Sequence, residues 1–280
     1  YKRQVINSPL FNPDDSRSHV FLNLSPDHGF NKKVNLNRAL FENAIDLFTQ
    51  LLDAVSKLNW ENLHYLAKSD LPKDVEEDWY KDLIQKKIRK NILNAEIVVT
   101  ENGNRIKPKD AMFPIYRQSK LQDFWDLCKF LCGDKIPRKE DVEIWKNIIE
   151  ANTNEWLDVD FDLNLEKFLL IIQNSVSFSA FNTTYFKNET KAFEALNKII
   201  QFTEEEDKEL LNRKEKPLII FPNQSTDSSF TEKQKLSRDV NVPIQLKDVL
   251  KTTGENWYDK LVRDEAVSYT HLRAHETVLD

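Results

Sequence analysis

The sequence predicts a predominantly helical α+β fold, with a small mixed strand-and-helix unit followed by a helical array. Three observations carry that expectation. Apolar residues recur every three or four positions through most of the chain, short apolar runs bounded by turn formers are few, and only 4 glycines occur in 280 residues. The 17 Phe, 7 Tyr and 6 Trp supply enough bulk for a sizeable core.

Taken in order, Val5 to Arg17 holds two prolines, two adjacent acids and the turn formers Asn12 and Ser16, which predicts a strand end and then an ordered loop. Val20, Phe21, Leu22 and Leu24 predict a short strand, turned by Ser25 to Gly29. From Val34 the pattern becomes helical: Leu36, Leu40, Ala44, Leu47, Leu51, Val55 and Leu58 place a single apolar stripe along a helix of roughly 35 Å. Trp60 to Lys68 adds a short helix, Pro72 breaks the chain, and Val75 to Leu93 is a further helix with Trp79, Leu83, Ile88 and Ile92 facing in. Ile97 to Thr100 and Arg105 to Lys107 flank an Asn102-Gly103 pair, the signature of a hairpin whose tight turn needs positive φ angles.

Pro108 to Tyr116 gives a turn and an apolar edge, and helices are expected at about 119–132, 139–152, 163–174, 190–203 and 204–213. Leu218 to Phe221 predicts a buried strand ending at Pro222, ahead of amphipathic segments at 244–252 and 255–262. Gly133 and Pro137 flank polar residues and mark the expected division between a mixed unit at 5–135 and a mainly helical unit at 136–266.

Both termini read differently. Residues 267–277, VSYTHLRAHET, resemble a translated sequencing adapter, and Tyr1 to Gln4 resemble its opposite strand, so 1–4 and 267–280 are expected to be adapter-derived and 5–266 an internal, metagenomic-type fragment. That removes His271 and His275, four apart, from consideration as a metal pair.

Composition narrows the chemistry. With 40 basic and 46 acidic residues the net charge is −6, unsuited to general nucleic-acid binding, so none is expected. No apolar run approaches the roughly 18–20 residues that cross a bilayer, so no membrane partner is expected. The scarcity of glycine weighs against a phosphate-cradling loop. Cys128 and Cys132 are four apart on one predicted helix beside Phe124, Leu127 and Leu131, which predicts buried, reduced thiols of a cytoplasmic chain; structural zinc wants four ligands, so no metal site is expected. His19, His28 and His64 fall into no catalytic or ligand spacing, and the run Glu204 to Asp207 predicts a capped or solvated helix end.

VINSPLFNPDDSR, then an apolar segment, then the long helix with FENAIDLFTQLL and then WENLHYLA, resemble the region that follows the ATP-binding module in sacsin-like and heat-shock-chaperone-like members of the GHKL ATPases. EIVVTENGNRIKPKDAMFP, IPRKEDVEIWKNII and the stretch from IIFPNQSTDSS to DVLKTTG add to it, although family members carry a glycine after the Pro-Asn-Gln trio where this chain has Ser225 and Thr226. The family's nucleotide-binding motifs are not in this sequence, so no cofactor is expected here, while ATP and Mg are expected in the parent protein. The resemblance implies a coupling region without a complete active site, partnered by the upstream ATP-binding module and by other proteins or a second copy. It also implies a role for Arg17, whose loop matches the one that delivers an Arg to the γ-phosphate, an effect worth about 10³ to 10⁵ where arginine fingers act. Without the resemblance, Arg17 simply pairs with Asp14 or Asp15, Lys32 and Lys33 face solvent, and the chain is a helical protein-interaction scaffold indifferent to nucleotide.

Overall fold

The computed structural model describes residues 8–13, 20–26, 28–58, 60–68, 79–80, 86–151, 156, 159–225, 228–236, 249, 252 and 261–263. The chain divides into two compact units: Tyr1–Phe113 with Asp134–Asp162, and Pro114–Gly133 with Leu163–Asp280. The division expected at 135/136 lies beside one of three crossings, 133/134. The other two fall inside two-residue strands, Phe113–Pro114 (β3) and Asp162–Leu163 (β4). The fold is predominantly helical α+β, as the periodicity predicts.

The first unit is built on α1, His28–Ser56. It starts six residues before the first periodic position because Asn31 holds the entering chain, accepting from Ser25 N at 2.8 Å and donating to Ser25 O at 2.7 Å. Its buried face is Val34, Asn37, Ile45, Leu52 and Val55. The stripe expected to be single is therefore two: Val55 belongs to the core, whereas Leu36, Leu47, Leu51 and Leu58 are 46, 65, 41 and 46% exposed. Both lines satisfy a three-to-four spacing, and only tertiary packing decides which is buried.

Helix α2, Lys86–Asn94, lies on a third face of α1, where Lys87 pairs with Asp46 at 3.0 Å and Asn91 Nδ2 donates to Thr49 Oγ1 at 2.5 Å. Of the inward residues expected in this segment, Ile92 is buried and Ile88 half-buried; Leu83 lies outside the described residues. The short helix after Trp60 is a 3-10 turn, Leu63–Ala67. No strand forms at Val20 to Leu24; Val20 makes a single antiparallel bridge to Pro13.

β1, Val98–Val99, pairs antiparallel with β2, Arg105–Ile106. Thr100 N donates to Asn104 O at 2.8 Å and Gly103 N to Thr100 O at 2.9 Å, so the connection is longer than a two-residue turn. Gly103, at φ 82, supplies its positive φ, and Asn102 is not in that region. A Cβ on Gly103 would meet nothing within 4 Å, so glycine is favoured by backbone conformation alone.

This hairpin holds the end of α1. Arg105 Nη1 donates to the carbonyls of Val55, Ser56 and Leu58 at 3.0, 3.3 and 2.5 Å, and Nη2 to that of Trp60 at 2.8 Å. α1 has no basic residue in its last turn, so a guanidinium some fifty residues away satisfies carbonyls that a helix end leaves open and offsets its negative pole. Helix α4, Val142–Glu150, completes the unit, with Trp145 tilted against Phe113 at 5.0 Å between ring centroids.

In the second unit, α3 (Leu121–Cys132), α5 (Leu165–Gln173) and α7 (Glu189–Glu206) bury a phenylalanine core. Phe124 meets Phe168 edge-on at 5.8 Å and Phe202 in a stack at 6.0 Å. A short α6, Phe178–Phe181, continues into a π-helical turn, Asn182–Phe186, that periodicity did not predict; Phe178 stacks on Phe193 at 3.8 Å. Asn164, Ser177, Asn188 and Asp207 cap α5, α6, α7 and α8 (Lys208–Asn212) in turn.

The strand expected at 218–221 is β5, Ile219–Pro222, paired antiparallel with β6, Phe230–Glu232. After Pro222, Asn223 Oδ1 accepts from Ser225 N at 3.1 Å and Oγ at 2.5 Å, a local side-chain turn made without glycine. Gln224 N and Nε2 donate to Leu261 O and Val262 O at 2.9 and 3.1 Å, and Asn223 bridges Val262. Leu261 and Val262, from the amphipathic segment expected at 255–262, thus stand at a bridge; the remainder of that segment, like nearly all of 244–252, lies outside the described residues.

Two stability outcomes are expected. Arg105→Met, which keeps the stem and removes the donors, lowers urea-unfolding stability by about 2 kcal/mol. Val176 holds φ 64 while 72% exposed, an uncommon conformation for a β-branched residue; Val176→Gly raises the thermal midpoint by relieving up to about 1 kcal/mol of strain.

Candidate functional site

In the first unit, a buried amide on α1 gathers the segments on either side of Asp14–His19. Asn37 is 0% exposed; its Oδ1 accepts from Asn12 N at 2.8 Å, and its Nδ2 donates to Asn12 O at 2.9 Å and Phe21 O at 2.8 Å. It serves as a neighbouring strand would, so residues with no sheet to join still have their backbone groups paired. Beside it, Phe21 N donates to Asn12 O at 3.3 Å and Pro13 bridges Val20.

The next residue, Arg38, donates Nε and Nη2 to Leu22 O at 2.9 and 2.6 Å, and its guanidinium lies 4.7 Å from the Trp79 ring centroid. Phe11 packs on Phe41 at 5.3 Å and Phe21 edge-on against Phe30 at 4.4 Å. The chain is therefore fixed at residues 12–13 and again at 20–22. Arg17 and its expected partners Asp14 and Asp15, with His19, lie outside the described residues. Lys32 and Lys33 are exposed on the first turns of α1, with Lys33 Nζ 5.9 Å from the Phe21 ring centroid.

Sequence spacing offered nothing to find Asn37. An Asn on a helix, flanked by Leu36 and Arg38, looks like a surface residue until the segments it serves are placed.

A second polar group is buried in the same unit. His64, 2% exposed on the 3-10 turn, places Nδ1 3.4 Å from Asp141 Oδ1. Asp141 stands at the start of α4, where Oδ2 accepts from Arg138 Nε at 3.1 Å and Nη2 at 2.9 Å. Tyr65 and Trp145 close on the imidazole at 4.5 and 6.5 Å, and Nε2 is buried without a hydrogen-bond partner.

Burial pushes the His64 pKa below the ordinary histidine range; the Asp141 carboxylate opposes that shift, while Lys68 and Arg138 add to it. The ring is neutral at pH 7, and its seclusion suits a core contact between the turn and α4 better than proton transfer to a bound substrate.

The remaining candidates are structural. Cys128 and Cys132 are free and buried, and burial pushes the Cys128 thiol well above its ordinary range, against nucleophilic use. No group of three or more His, Cys, Asp or Glu among the described residues could hold a metal ion. The acidic run behaves as a helix end: Asp207 caps α8, Glu206 accepts from Arg117 Nη2 at 2.5 Å and from the Tyr116 hydroxyl at 3.2 Å, and Glu204 lies 3.7 Å from Lys233. His28 begins α1, and His271 and His275 lie outside the described residues. No helix among the described residues is long and apolar enough to cross a membrane.

Compared with protein-family models, with curated proteins and with solved structures, the chain matches none of them.

The lowered His64 pKa fixes the sign of a pH effect. Below the unfolded value of about 6.5 the unfolded chain binds the proton more readily, so this contribution is present above that pH and is lost as the pH falls toward the folded pKa. Between pH 7 and 5.5, urea unfolding of the wild type is expected to lose more stability than that of His64→Gln; parallel losses would show that His64 titrates alike in both states.

Proposed function

We propose that this chain is the coupling region of a GHKL-type ATPase, sacsin-like or heat-shock-chaperone-like, and that Arg17 is delivered from it to the γ-phosphate of ATP held by an upstream module. The observation that carries this reading is the anchorage on both sides of Asp14–His19, made by the Pro13–Val20 bridge and the Asn37 amide. A guanidinium acts on transition-state charge only if its position is set before the reaction begins, and fixing the chain at residues 12–13 and 20–22 restricts where Arg17 can go.

In the parent protein, ATP and Mg would supply the phosphoryl chemistry. This chain's own contribution is a permanent positive charge whose five donors match phosphate oxygens. α1 then links the anchored segment at one end with the Arg105 contact at the other, a route by which nucleotide state could reach the hairpin. The buried free cysteines favour a reducing, cytoplasmic setting, and the net charge of −6 disfavours nucleic acid as a direct partner.

A second reading, a protein-interaction scaffold independent of nucleotide, is favoured by the exposed leucines of α1. The test separates them. In a protein that restores an upstream ATP-binding module, Arg17→Ala is expected to lower kcat for ATP hydrolysis by about 10³ with KM for ATP nearly unchanged, and Arg17→Lys to recover only part of it. Unchanged turnover in Arg17→Ala, or hydrolysis of ATP by this chain alone, would end the coupling reading.

A further inference from the structure

The hairpin turn of the first unit carries the chain's single Asn-Gly pair, Asn102-Gly103. The other three glycines follow His28, Cys132 and Thr253, so every other asparagine precedes a residue with a side chain. The difference is chemical. A backbone nitrogen can attack the side-chain amide carbon of the residue before it and close a five-membered imide, and a Cβ on the attacking residue crowds that approach. Gly103 has none, sits at φ 82, and has nothing within 4 Å of where a Cβ would stand. Asn102, Gly103 and Asn104 are all exposed, so room for ring closure and water to open the ring are both at hand.

Two contacts oppose the reaction. Gly103 N donates to Thr100 O at 2.9 Å, which occupies the nucleophile, and Asn102 Nδ2 donates to Asp134 Oδ1, which fixes the amide under attack. The second contact also sets a carboxylate beside the carbon on which attack builds negative charge. Asp134 is exposed, yet its place is set by backbone pairing just after it: Glu101 N donates to Ile136 O at 3.3 Å and Arg138 N to Val99 O at 3.0 Å.

We propose that Asn102 is a site of spontaneous conversion to isoaspartate and aspartate, that Asp134 slows it, and that conversion loosens the hold of Arg105 on α1. A solvent base takes the Gly103 amide proton, and the nitrogen bonds to Asn102 Cγ. The Cγ–Nδ2 bond breaks, and Nδ2 takes up a proton from water and leaves as ammonia. Water then opens the imide: cleavage at Cγ gives aspartate, and cleavage at the main-chain carbonyl carbon gives isoaspartate, whose backbone runs through the side chain and is one carbon longer. That carbon enters a turn closed by Thr100 N on Asn104 O at 2.8 Å, and the next residue is Arg105, whose donors reach the carbonyls of Val55, Ser56, Leu58 and Trp60. Either product also places a second carboxylate beside Asp134, where like charges repel. The chemistry needs only water, and neither nucleotide nor a partner enters it.

The test holds the whole chain in mildly alkaline buffer for weeks, with samples digested at acidic pH and mapped by mass spectrometry, isoaspartate being assigned by electron-transfer fragmentation. Asn102 is expected to convert ahead of every other asparagine, with isoaspartate the larger product. Asp134→Ala is expected to convert at least about fivefold faster, the factor set by one unit charge about 4 Å away in water. Asp134→Asn, which keeps an acceptor for the amide, should give an intermediate rate. In urea, where both contacts are gone, wild type and Asp134→Ala should convert at nearly one rate. Asn102→Gln, which would have to close a six-membered ring, is expected to stay intact and keep its urea-unfolding midpoint while that of the aged wild type falls.

Conversion of other asparagines ahead of Asn102 in the folded chain, or an Asp134→Ala rate equal to or below that of the wild type, would overturn the proposal. So would a converted wild type whose urea midpoint has not moved, since the hold of Arg105 on α1 would then be untouched.

Discussion

Strands of two to four residues cannot satisfy the backbone around them, and that constraint governs this structure. An extended segment in a sheet pairs its N–H and C=O groups with a neighbour; here the described strands are too short to serve the segments beside them. Polar side chains take over. Asn37 pairs with both backbone groups of Asn12 and with the Phe21 carbonyl, Arg38 serves Leu22, Arg105 serves four carbonyls after Ala54, and Gln224 serves Val262. A buried amide that loses one such partner retains the desolvation cost of an unpaired group, so each of these residues is harder to replace than its polarity suggests.

The same logic places charge. α7 ends in Glu204, Glu205 and Glu206 with no basic residue in its last turn, the wrong sign for a helix C-terminus. Cations from other segments offset it: Arg117 on Glu206, and Lys233, itself nearly buried, near Glu204. Tyr116 completes the group; burial first, and then the Glu206 carboxylate, pushes its hydroxyl up to about 12, so it stays protonated and donates. Arg263 plays a comparable part elsewhere in this unit, pairing with Glu189 while lying 5.0 Å from the Phe193 ring centroid.

How much was legible in the sequence follows from the range of each interaction. Helices declare themselves through local periodicity, and α1, α3, α4, α5 and α7 stand where that periodicity puts them. The Asn-Gly pair located the hairpin, although Gly103 supplies the positive φ there without Asn102. Long-range choices were not legible. Periodicity could not choose between two leucine-bearing faces of α1, because both repeat at helical spacing. It could not anticipate that Val20 would find a single bridge, that Asn37 would be buried, or that His64 would meet Asp141 seventy-seven positions away, since each depends on a partner distant in the chain.

α1 shows what this division of labour implies. Its core face fixes it in the first unit through Val34, Ile45, Leu52 and Val55, and a second face takes α2 through Asp46 and Thr49. Near its start it holds the segments flanking Asp14–His19 through Asn37 and Arg38; past its end it is held by Arg105. A helix fixed at both ends by hydrogen bonds, and on two faces by packing, moves as a rod and resists bending within itself. Because Asn37 is buried and uses both donors, losing either contact leaves a desolvated, unpaired amide hydrogen near the start of that rod. The exposed Leu36, Leu47 and Leu51 ride on the same rod, held at both ends by side chains that serve the backbone of other segments.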